Sequence, residues 1–299
     1  METQEIDFKK LLEPWSEPQL IEKLPEENYH AEFALSAGRM KRIHEDSVAN
    51  FRQSFLEEKK DPSPAMRFGS LFHKAALEGP EFLKNYRVMP EFTGKTKDGK
   101  DSNRSAEALE KKKRWLGDLS PEVILIDSMD ELDQVAGMIN SILAHPIAKK
   151  LMVGGKRELS GYFNLEGFRC KMRIDILTQN GLMVDLKTAI KAGPRRFPKD
   201  AWSRLYPIQA AFYRRGLSIL TGRTVETFDY IVVEKEPPYR VEVYSPNEDY
   251  FSIGDHIVDL SMRRLRQAIE SNDWYPDQEP KILDVPKWAM RELEEDGGL

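Results

Sequence analysis

The sequence predicts an α/β fold in which a helical N-terminal half leads into a mixed central sheet flanked by helices. Apolar residues recur with helical spacing in several segments before residue 152. The pattern then changes to three short strands, at 158–165, 168–177 and 182–188. The last two strands are separated by Asn180-Gly181, a pair typical of tight hairpins.

The N-terminal half begins with an acidic, proline-containing stretch, residues 1–28, which we expect to be a loosely ordered arm. Helices are predicted at 35–58, with Ser36 as N-cap, and at 65–77, after Pro62 and Pro64. The polar residues 92–105 predict a loop. Helices at 106–116 and 129–152 follow, the second interrupted near Pro146.

Beyond the three strands, residues 199–220 predict an amphipathic helix whose regular part begins near Pro207. Strands at 227–234 and 240–244 and a long helix at 248–271 complete a βββαβ-type core. We therefore expect one domain over residues 29–275, with a helical part at 29–152 and a catalytic core at 153–275. We expect residues 276–299 to form a C-terminal tail.

The composition of the 299 residues is that of an ordinary globular protein, 40% hydrophobic and 32% charged. The single cysteine excludes an intramolecular disulfide framework and a four-cysteine metal or iron–sulfur site. No apolar run is long enough to cross a membrane, and the acidic N-terminus lacks a secretory signal. We expect a cytoplasmic protein without membrane contact.

The net charge of −5 hides a strongly basic segment. Residues 149–215 contain fifteen Lys and Arg against five acids, a formal charge of +10. Local potential, rather than net charge, attracts a polyanion such as DNA to a site. A solvated basic face is the competing interpretation.

Two carboxylates and a lysine lie inside this segment. Asp175 and Asp185 are ten positions apart across the Asn-Gly turn, a spacing that can bring both to one end of a hairpin. Asp185 and Lys187 leave the same face of one strand. Such a set suits Mg²⁺ or Mn²⁺ with an adjacent cation, as phosphodiester hydrolysis requires. An ordinary surface hairpin with an Asp–Lys pair would have the same sequence.

Four further side chains are candidates for the same site. Gln209 and Tyr213 share a helix face, although a tyrosine in that position is usually part of a core. His73 ends a largely apolar run, where a histidine is more often structural. Glu158, at the start of the first strand, is either a further ligand of a metal or water or a surface residue.

The ordered set His73, Asp175, Asp185-Leu186-Lys187 and Gln209-x-x-x-Tyr213 resembles the RecB-type branch of the PD-(D/E)XK nucleases. More closely, the chain is similar to RecE-type exonucleases of phage and prophage origin. Supporting runs are Tyr29-His30, Leu35-Ser36, the segment 68–78 and the segment 94–100, and the likeness extends over residues 28–270.

This resemblance implies a restriction-endonuclease-like core and a role for each matching residue. His73, Asp175, Asp185 and the Leu186 carbonyl would bind Mg²⁺, or Mn²⁺, and Lys187 would be the catalytic lysine. Glu158 would be an acidic neighbour, with Gln209 and Tyr213 as the motif after the hairpin. Similar proteins degrade linear double-stranded DNA from 5′ ends to leave 3′ single strands for recombination. They form toroidal tetramers and work with a RecT-like single-strand annealing protein.

Several alternatives remain open at this point. Arg195, Arg196, Lys191 and Trp202 suit a DNA-contacting loop, but they are equally plausible as solvated or packing residues. The same core also serves restriction-like or structure-specific endonucleases, and a catalytically silent DNA-binding module is a further alternative. A CRISPR-adaptation nuclease is disfavoured because such proteins carry a four-cysteine cluster.

Overall fold

A computed structural model describes residues 6–45, 47–56, 63–79, 86–119, 123–126, 128–275, 280 and 282–285. A short 3-10 helix covers Phe8–Leu12. The α-helices are α1 Glu26–Ala31, α2 Ala37–Glu45, α3 Val48–Leu56, α4 Pro64–Glu78, α5 Ala106–Gly117, α6 Met129–Ala144, α7 Pro146–Met152, α8 Phe197–Ser203, α9 Tyr206–Thr221 and α10 Glu248–Ser271. The strands are β1 Gln19–Ile21, β2 Tyr86–Val88, β3 Gly94–Lys95, β4 Asp101–Ser102, β5 Ile124–Ile126, β6 Lys156–Leu165, β7 Phe168–Leu177, β8 Met183–Ala189, β9 Phe228–Glu234 and β10 Val241–Tyr244.

The predicted fold class is confirmed. The main sheet has six strands in the order β1-β6-β7-β8-β9-β10. Among the described residues of this sheet, β8 and β9 are the only parallel neighbours, because the chain crosses over through α8 and α9 between them; the other neighbours are antiparallel. Two small two-stranded sheets, β2-β5 and β3-β4, lie outside it.

Helices cover both faces of the main sheet. Helices α2, α3, α9 and α10 share one hydrophobic core with the sheet, and α4, α6 and α7 share a second. Strand β8 contributes to both cores because its side chains alternate: Met183 packs in the first, and Val184 and Leu186 in the second. This two-sided burial holds β8 firmly at the centre of the molecule.

Most predicted elements agree with the structure to within a few residues, and α10 covers the predicted range. Several regions differ, and strands β2 and β5 were not predicted. The predicted helix at 35–58 is two helices, α2 and α3. The predicted helix at 199–220 is also two, because Leu205 has a left-handed backbone with φ of 51°. The predicted loop at 92–105 contains the β3-β4 hairpin.

The described part of the N-terminal stretch differs from the loosely ordered arm that we predicted. Phe8 and Leu11 are buried in the core of the helical face. Strand β1 pairs with β6, and the Trp15 indole Nε1 donates to the Cys170 carbonyl at 3.0 Å. The acidic composition concealed these few large apolar residues, whose burial anchors the segment. Residues 1–5 and most of the tail at 276–299 lie outside the described residues.

A helix that spans a membrane must be long and apolar enough to cross the hydrocarbon layer. Among the described residues, no helix combines the length and the apolar character that such a span needs.

Candidate active site

The candidate site lies where β7 and β8 separate. Their ladder pairs Ile176 with Val184 and Leu177 with Met183 and then ends. Continuing the same register would place Asp175 opposite Asp185. Instead the Asp175 carboxylate enters the gap and its Oδ2 accepts a hydrogen bond from the Leu186 N–H at 2.8 Å. A side chain thus replaces a backbone partner, and both aspartates lie at the opening.

The N-terminal part of the chain packs beside β7 in the gap that opens where β7 and β8 stop pairing. Leu35 bridges to Cys170, with its N–H donating to the Arg169 carbonyl at 3.0 Å and its carbonyl accepting from the Lys171 N–H at 2.7 Å. The buried Lys171 ammonium donates to the Tyr29 and Glu32 carbonyls at 2.6 and 2.7 Å. These contacts bring α1 and α2 to the same opening.

Helix α4 supplies His73 from the opposite core. Ser63 caps the helix by accepting from the Met66 N–H, and Pro64 occupies its first position. His73 Nδ1 lies 2.8 Å from the Gly69 carbonyl and Nε2 lies 2.8 Å from the Leu186 carbonyl. Nε2 is also 3.4 Å from Asp175 Oδ2. The imidazole therefore joins α4 to both strands of the split.

The pKa values of His73 and Asp175 shift in opposite directions: that of His73 is raised above its ordinary value and that of Asp175 is lowered. Burial lowers the pKa of His73, but the charge and hydrogen bond of Asp175 outweigh it and raise the value to about 9. Burial would raise the pKa of Asp175, but His73, Lys187 and the Leu186 N–H hold it below its ordinary value. In the metal-free protein at neutral pH, the two groups are an imidazolium and a carboxylate, and both imidazole nitrogens can donate to carbonyls.

Asp185, Lys187 and Gln209 form a closed set of contacts. Lys187 Nζ lies 2.5 Å from Asp185 Oδ2 and donates to Gln209 Oε1 at 3.1 Å. Gln209 Nε2 donates to Asp185 Oδ1 at 2.6 Å. The side chains of Lys187 and Asp185 are 15% and 5% exposed. Each member is therefore held by two others in a region largely withdrawn from water.

Burial raises the pKa of Asp185, and the nearby Asp175 charge adds to this effect, while the Lys187 ammonium opposes it. Burial lowers the pKa of Lys187, but Asp185 and other negative groups outweigh it and leave the pKa above its ordinary value. Lys187 is accordingly an ammonium at neutral pH, held beside two carboxylates.

Glu158 and Tyr213 lie at the edge of this set. The β6-β7 register places Glu158 opposite Asp175, and Glu158 has an unusual φ of 48°. Burial raises the pKa of Glu158. The Arg173 charge opposes this effect, and nearby carboxylates that include Asp175 add to it. Tyr213 lies one turn after Gln209 on α9, and burial raises the pKa of its hydroxyl well above the usual value.

The structure brings together all the side chains predicted for the chemistry, whereas the predicted DNA-contacting loop is a separate feature. Trp202 of that predicted loop lies on α8, Arg196 pairs with Asp200 at 3.1 Å, and Lys191 pairs with Glu234 at 3.6 Å. Arg195 and Trp202 are exposed. A role of these four residues in DNA binding stays a prediction.

Two neighbours of the site were not predicted from the sequence. The Tyr206 ring lies beneath the Lys187 ammonium, with 4.7 Å from Nζ to the ring centroid. Lys41 of α2 approaches the same ring at 4.8 Å. Tyr206 precedes Gln209 by three positions, a helical spacing that could have indicated it. Lys41 had no such signal, since a lysine on an amphipathic helix normally faces solvent.

The donors at the split fit a hard divalent cation. One imidazole nitrogen, two carboxylates and the Leu186 carbonyl are ligands that Mg²⁺ and Mn²⁺ accept. Asp185 Oδ2 is buried and accepts no hydrogen bond from the described residues, although it contacts the Lys187 ammonium. Within the described ranges, no three His, Cys, Asp or Glu side chains are already arranged to hold a metal jointly. These donors therefore suit a divalent cation chemically. In the structure, the aspartate oxygens already contact other protein groups.

Comparisons with known proteins agree with this fold. The crystal structure of a putative exonuclease from Eubacterium rectale superposes with a TM-score of 0.56 at 16% identity, covering 90% of this chain and 98% of that one. That likeness shows a shared fold. The crystal structure of SSO0001 aligns over 83% of this chain and 96% of that one at 11% identity, but its TM-score of 0.27 supports no argument.

No curated protein matches the sequence significantly. A family model described as a PDDEXK-like domain of unknown function (DUF3799) matches residues 36–279, which is most of the chain and includes the β7-β8 split, His73 and Gln209. The protein therefore belongs to this PDDEXK-like family.

Proposed function

We propose that the protein is a metal-dependent exodeoxyribonuclease that hydrolyses phosphodiester bonds at the ends of linear double-stranded DNA. The observation that carries the proposal is the joint placement of Asp175, Asp185 and Lys187 at the β7-β8 split. Two carboxylates that favour a divalent cation and a buried ammonium that favours an anionic phosphate lie side by side. This is the arrangement that phosphodiester hydrolysis needs.

His73, Asp175, Asp185 and the Leu186 carbonyl are the groups that would hold the metal, Mg²⁺ or Mn²⁺. When bound, such an ion polarises a phosphoryl oxygen and lowers the pKa of a coordinated water. His73 can contribute Nε2 only after losing the proton that it shares with the Leu186 carbonyl. Metal affinity should therefore depend on pH.

Lys187 acts as a cation rather than as a base. Its pKa lies above the ordinary value, so deprotonation at neutral pH is unfavourable. The ammonium can donate hydrogen bonds to a phosphate oxygen or to the attacking water, and it can stabilise negative charge that develops in the transition state. Asp185 and Gln209 hold Nζ in place for this purpose.

Gln209 is a positioning residue in this scheme. Its amide joins Asp185 to Lys187 and so keeps the carboxylate and the ammonium at a constant separation. Tyr213, one turn further along α9, packs against the β7 side of the split. We infer that helix α9 carries the support for the reacting groups rather than the groups themselves.

Preference for DNA ends, 5′ to 3′ polarity and a role in recombination are further parts of the proposal. They rest on the resemblance to RecE-type exonucleases, and the naming of the Eubacterium rectale protein as an exonuclease is in keeping with the first of them. On the same basis we propose a toroidal tetramer, a RecT-like annealing partner, a cytoplasmic location and phage or prophage origin.

The decisive experiment compares linear duplex DNA, labelled at either the 5′ or the 3′ end, with covalently closed circular DNA. Each is incubated with Mg²⁺, Mn²⁺ or EDTA, and Lys187→Ala is the inactive control. We expect metal-dependent release of nucleotides from the linear DNA alone, with the 5′ label lost first. Nicked or linearised circles would instead establish an endonuclease. Binding without cleavage under every metal condition would establish a silent DNA-binding module.

A further inference from the structure

Three cations from separate parts of the chain lie near the C-terminal ends of β8 and β9, and one of them shares an aromatic ring with Lys187. They are Lys41 of α2, Arg204 between α8 and α9, and Lys235 directly after β9. We call these three residues the basic row. None of them was predicted as a functional residue from the sequence.

Lys41 and Lys187 share one aromatic ring. Their Nζ atoms lie 4.8 and 4.7 Å from the centroid of the Tyr206 ring. Two ammonium groups on one ring repel each other, and burial together with the Lys187 charge lowers the pKa of Lys41 to about 8. An anionic group bound between the two would remove this repulsion.

Arg204 and Lys235 extend the positive charge along the same edge. Arg204 lies two residues before Tyr206, and its side chain is exposed. The Lys235 N–H donates to the carbonyl of Ala189, the last residue of β8, at 3.1 Å. The Lys235 ammonium lies 5.3 Å from the ring of Phe68, on the helix that carries His73. Burial, and to a smaller extent the charge of Arg204, lowers the pKa of Lys235.

Three other basic side chains, on β6 and α9, are held by carboxylates, whereas the basic row is not held by any described carboxylate. Arg214 pairs with Asp255, Arg215 with Asp259, and Lys156 with Glu22, all within 3 Å. Within the part of the chain that the structure describes, no carboxylate lies within ion-pair distance of a member of the basic row. Its positive charge is therefore available to an external anion.

We propose that the basic row binds consecutive backbone phosphates of the DNA strand that is cut. Lys41 and Lys187 take neighbouring phosphates at the Tyr206 ring, and Arg204 and Lys235 continue the path near the ends of β8 and β9. This inference rests on the proposed nuclease function and adds the path along which the DNA strand reaches the site. Phosphate contacts of this kind set position and affinity without reading sequence.

The test measures the affinity of a fluorescein-labelled duplex by anisotropy in EDTA, over a series of salt concentrations. The variants are Lys41→Gln, Arg204→Gln and Lys235→Gln, with Lys41→Arg as the charge-preserving rescue. Lys150→Gln on α7 and Arg264→Gln on α10 remove the same charge from exposed positions elsewhere. Cleavage kinetics in Mg²⁺ and thermal unfolding accompany each binding series.

We expect each neutralised member of the basic row to weaken binding about threefold to tenfold and to make the log–log salt slope shallower by about 0.9. The KM for DNA should rise while the unfolding midpoint stays unchanged, and Lys41→Arg should restore affinity. The two control variants should bind like the wild type.

If the wild-type protein binds and cleaves DNA but the three variants match the controls in affinity and slope, the basic row is not the phosphate path. If the wild-type protein neither binds nor cleaves DNA, the proposed function itself is wrong. Because Arg204 is exposed, its variant tests the inference even if Lys41→Gln folds poorly.

Discussion

Gln209 donates a hydrogen bond of 2.6 Å from its side-chain nitrogen to Asp185 Oδ1, although the two residues are 24 positions apart. The other end of the same amide accepts from Lys187. A single helical side chain thus bridges the carboxylate and the ammonium that the proposed reaction uses, in addition to their direct contact.

Gln209→Ala should lower kcat about 100-fold, because a displacement of reacting groups by about 1 Å has an effect of that size. The KM for DNA should change little, since the amide does not carry charge. The measurement is steady-state cleavage of a linear duplex, with the exposed Gln267→Ala on α10 as the matched control. An unaltered kcat would show that Gln209 does not position the reacting groups.

Lys187→Ala should abolish cleavage and also destabilise the protein by about 3 kcal/mol, because it leaves the buried Asp185 carboxylate without its cation. Urea unfolding in EDTA measures the stability. The double variant Asp185→Asn, Lys187→Met removes both charges and should recover much of the lost stability while remaining inactive. Equal stability of the single variant and the wild type would contradict the ion pair.

His73→Gln should show a pH-dependent loss of stability in EDTA. The folded pKa of His73, about 9, lies above the ordinary value of 6.5. The stabilisation from the His73–Asp175 pair is therefore fully present below pH 6.5 and is lost as the pH rises through 9. The difference in unfolding free energy between wild type and variant should shrink accordingly, whereas the exposed His256→Gln should show no such trend.

The same variant should require a higher Mg²⁺ concentration for activity. Metal binding to the wild type should release a proton at neutral pH, since Nε2 must lose its hydrogen to become a ligand. Calorimetric titration in buffers of different ionisation enthalpy detects that proton. If His73→Gln needs the same Mg²⁺ concentration for activity and releases the same number of protons on metal binding, the histidine only supports the fold.

Glu158→Gly should raise the unfolding free energy by about 1 kcal/mol, because a φ of 48° costs a residue with a side chain about that much and costs glycine little. Activity should nevertheless fall, since the carboxylate opposite Asp175 is removed. Glu158→Gln separates the two effects, because it keeps the backbone cost and loses only the charge. A fully active glycine variant would assign Glu158 no part in the site.

Leu11→Ala should cost about 2–5 kcal/mol, as for other buried leucines. The exposed Leu109→Ala is the control and should cost far less. Urea unfolding of both variants measures how firmly the N-terminal stretch belongs to the domain. A negligible cost for Leu11→Ala would support the loosely ordered arm that the composition suggested.

The sequence alone was sufficient for the fold class and for the shared strand face of Asp185 and Lys187 in the candidate site. Strands β6, β7 and β8 have a side-chain period of two, and the Asn-Gly turn between the last two is a local signal. The same period places Asp185 and Lys187 on one face of a strand. These features depend on residues close together in the chain, so they can be derived without knowledge of the tertiary structure.

Tertiary structure decided which distant side chains complete the site. His73 contacts Leu186 across 113 positions, and Lys41 meets Lys187 only because α2 packs against α9 beside the split. The N-terminal stretch likewise joins the sheet through a few apolar residues whose burial the composition did not reveal. Long-range packing depends on which faces bury one another, and a local periodicity shows that a face is apolar without showing what covers it.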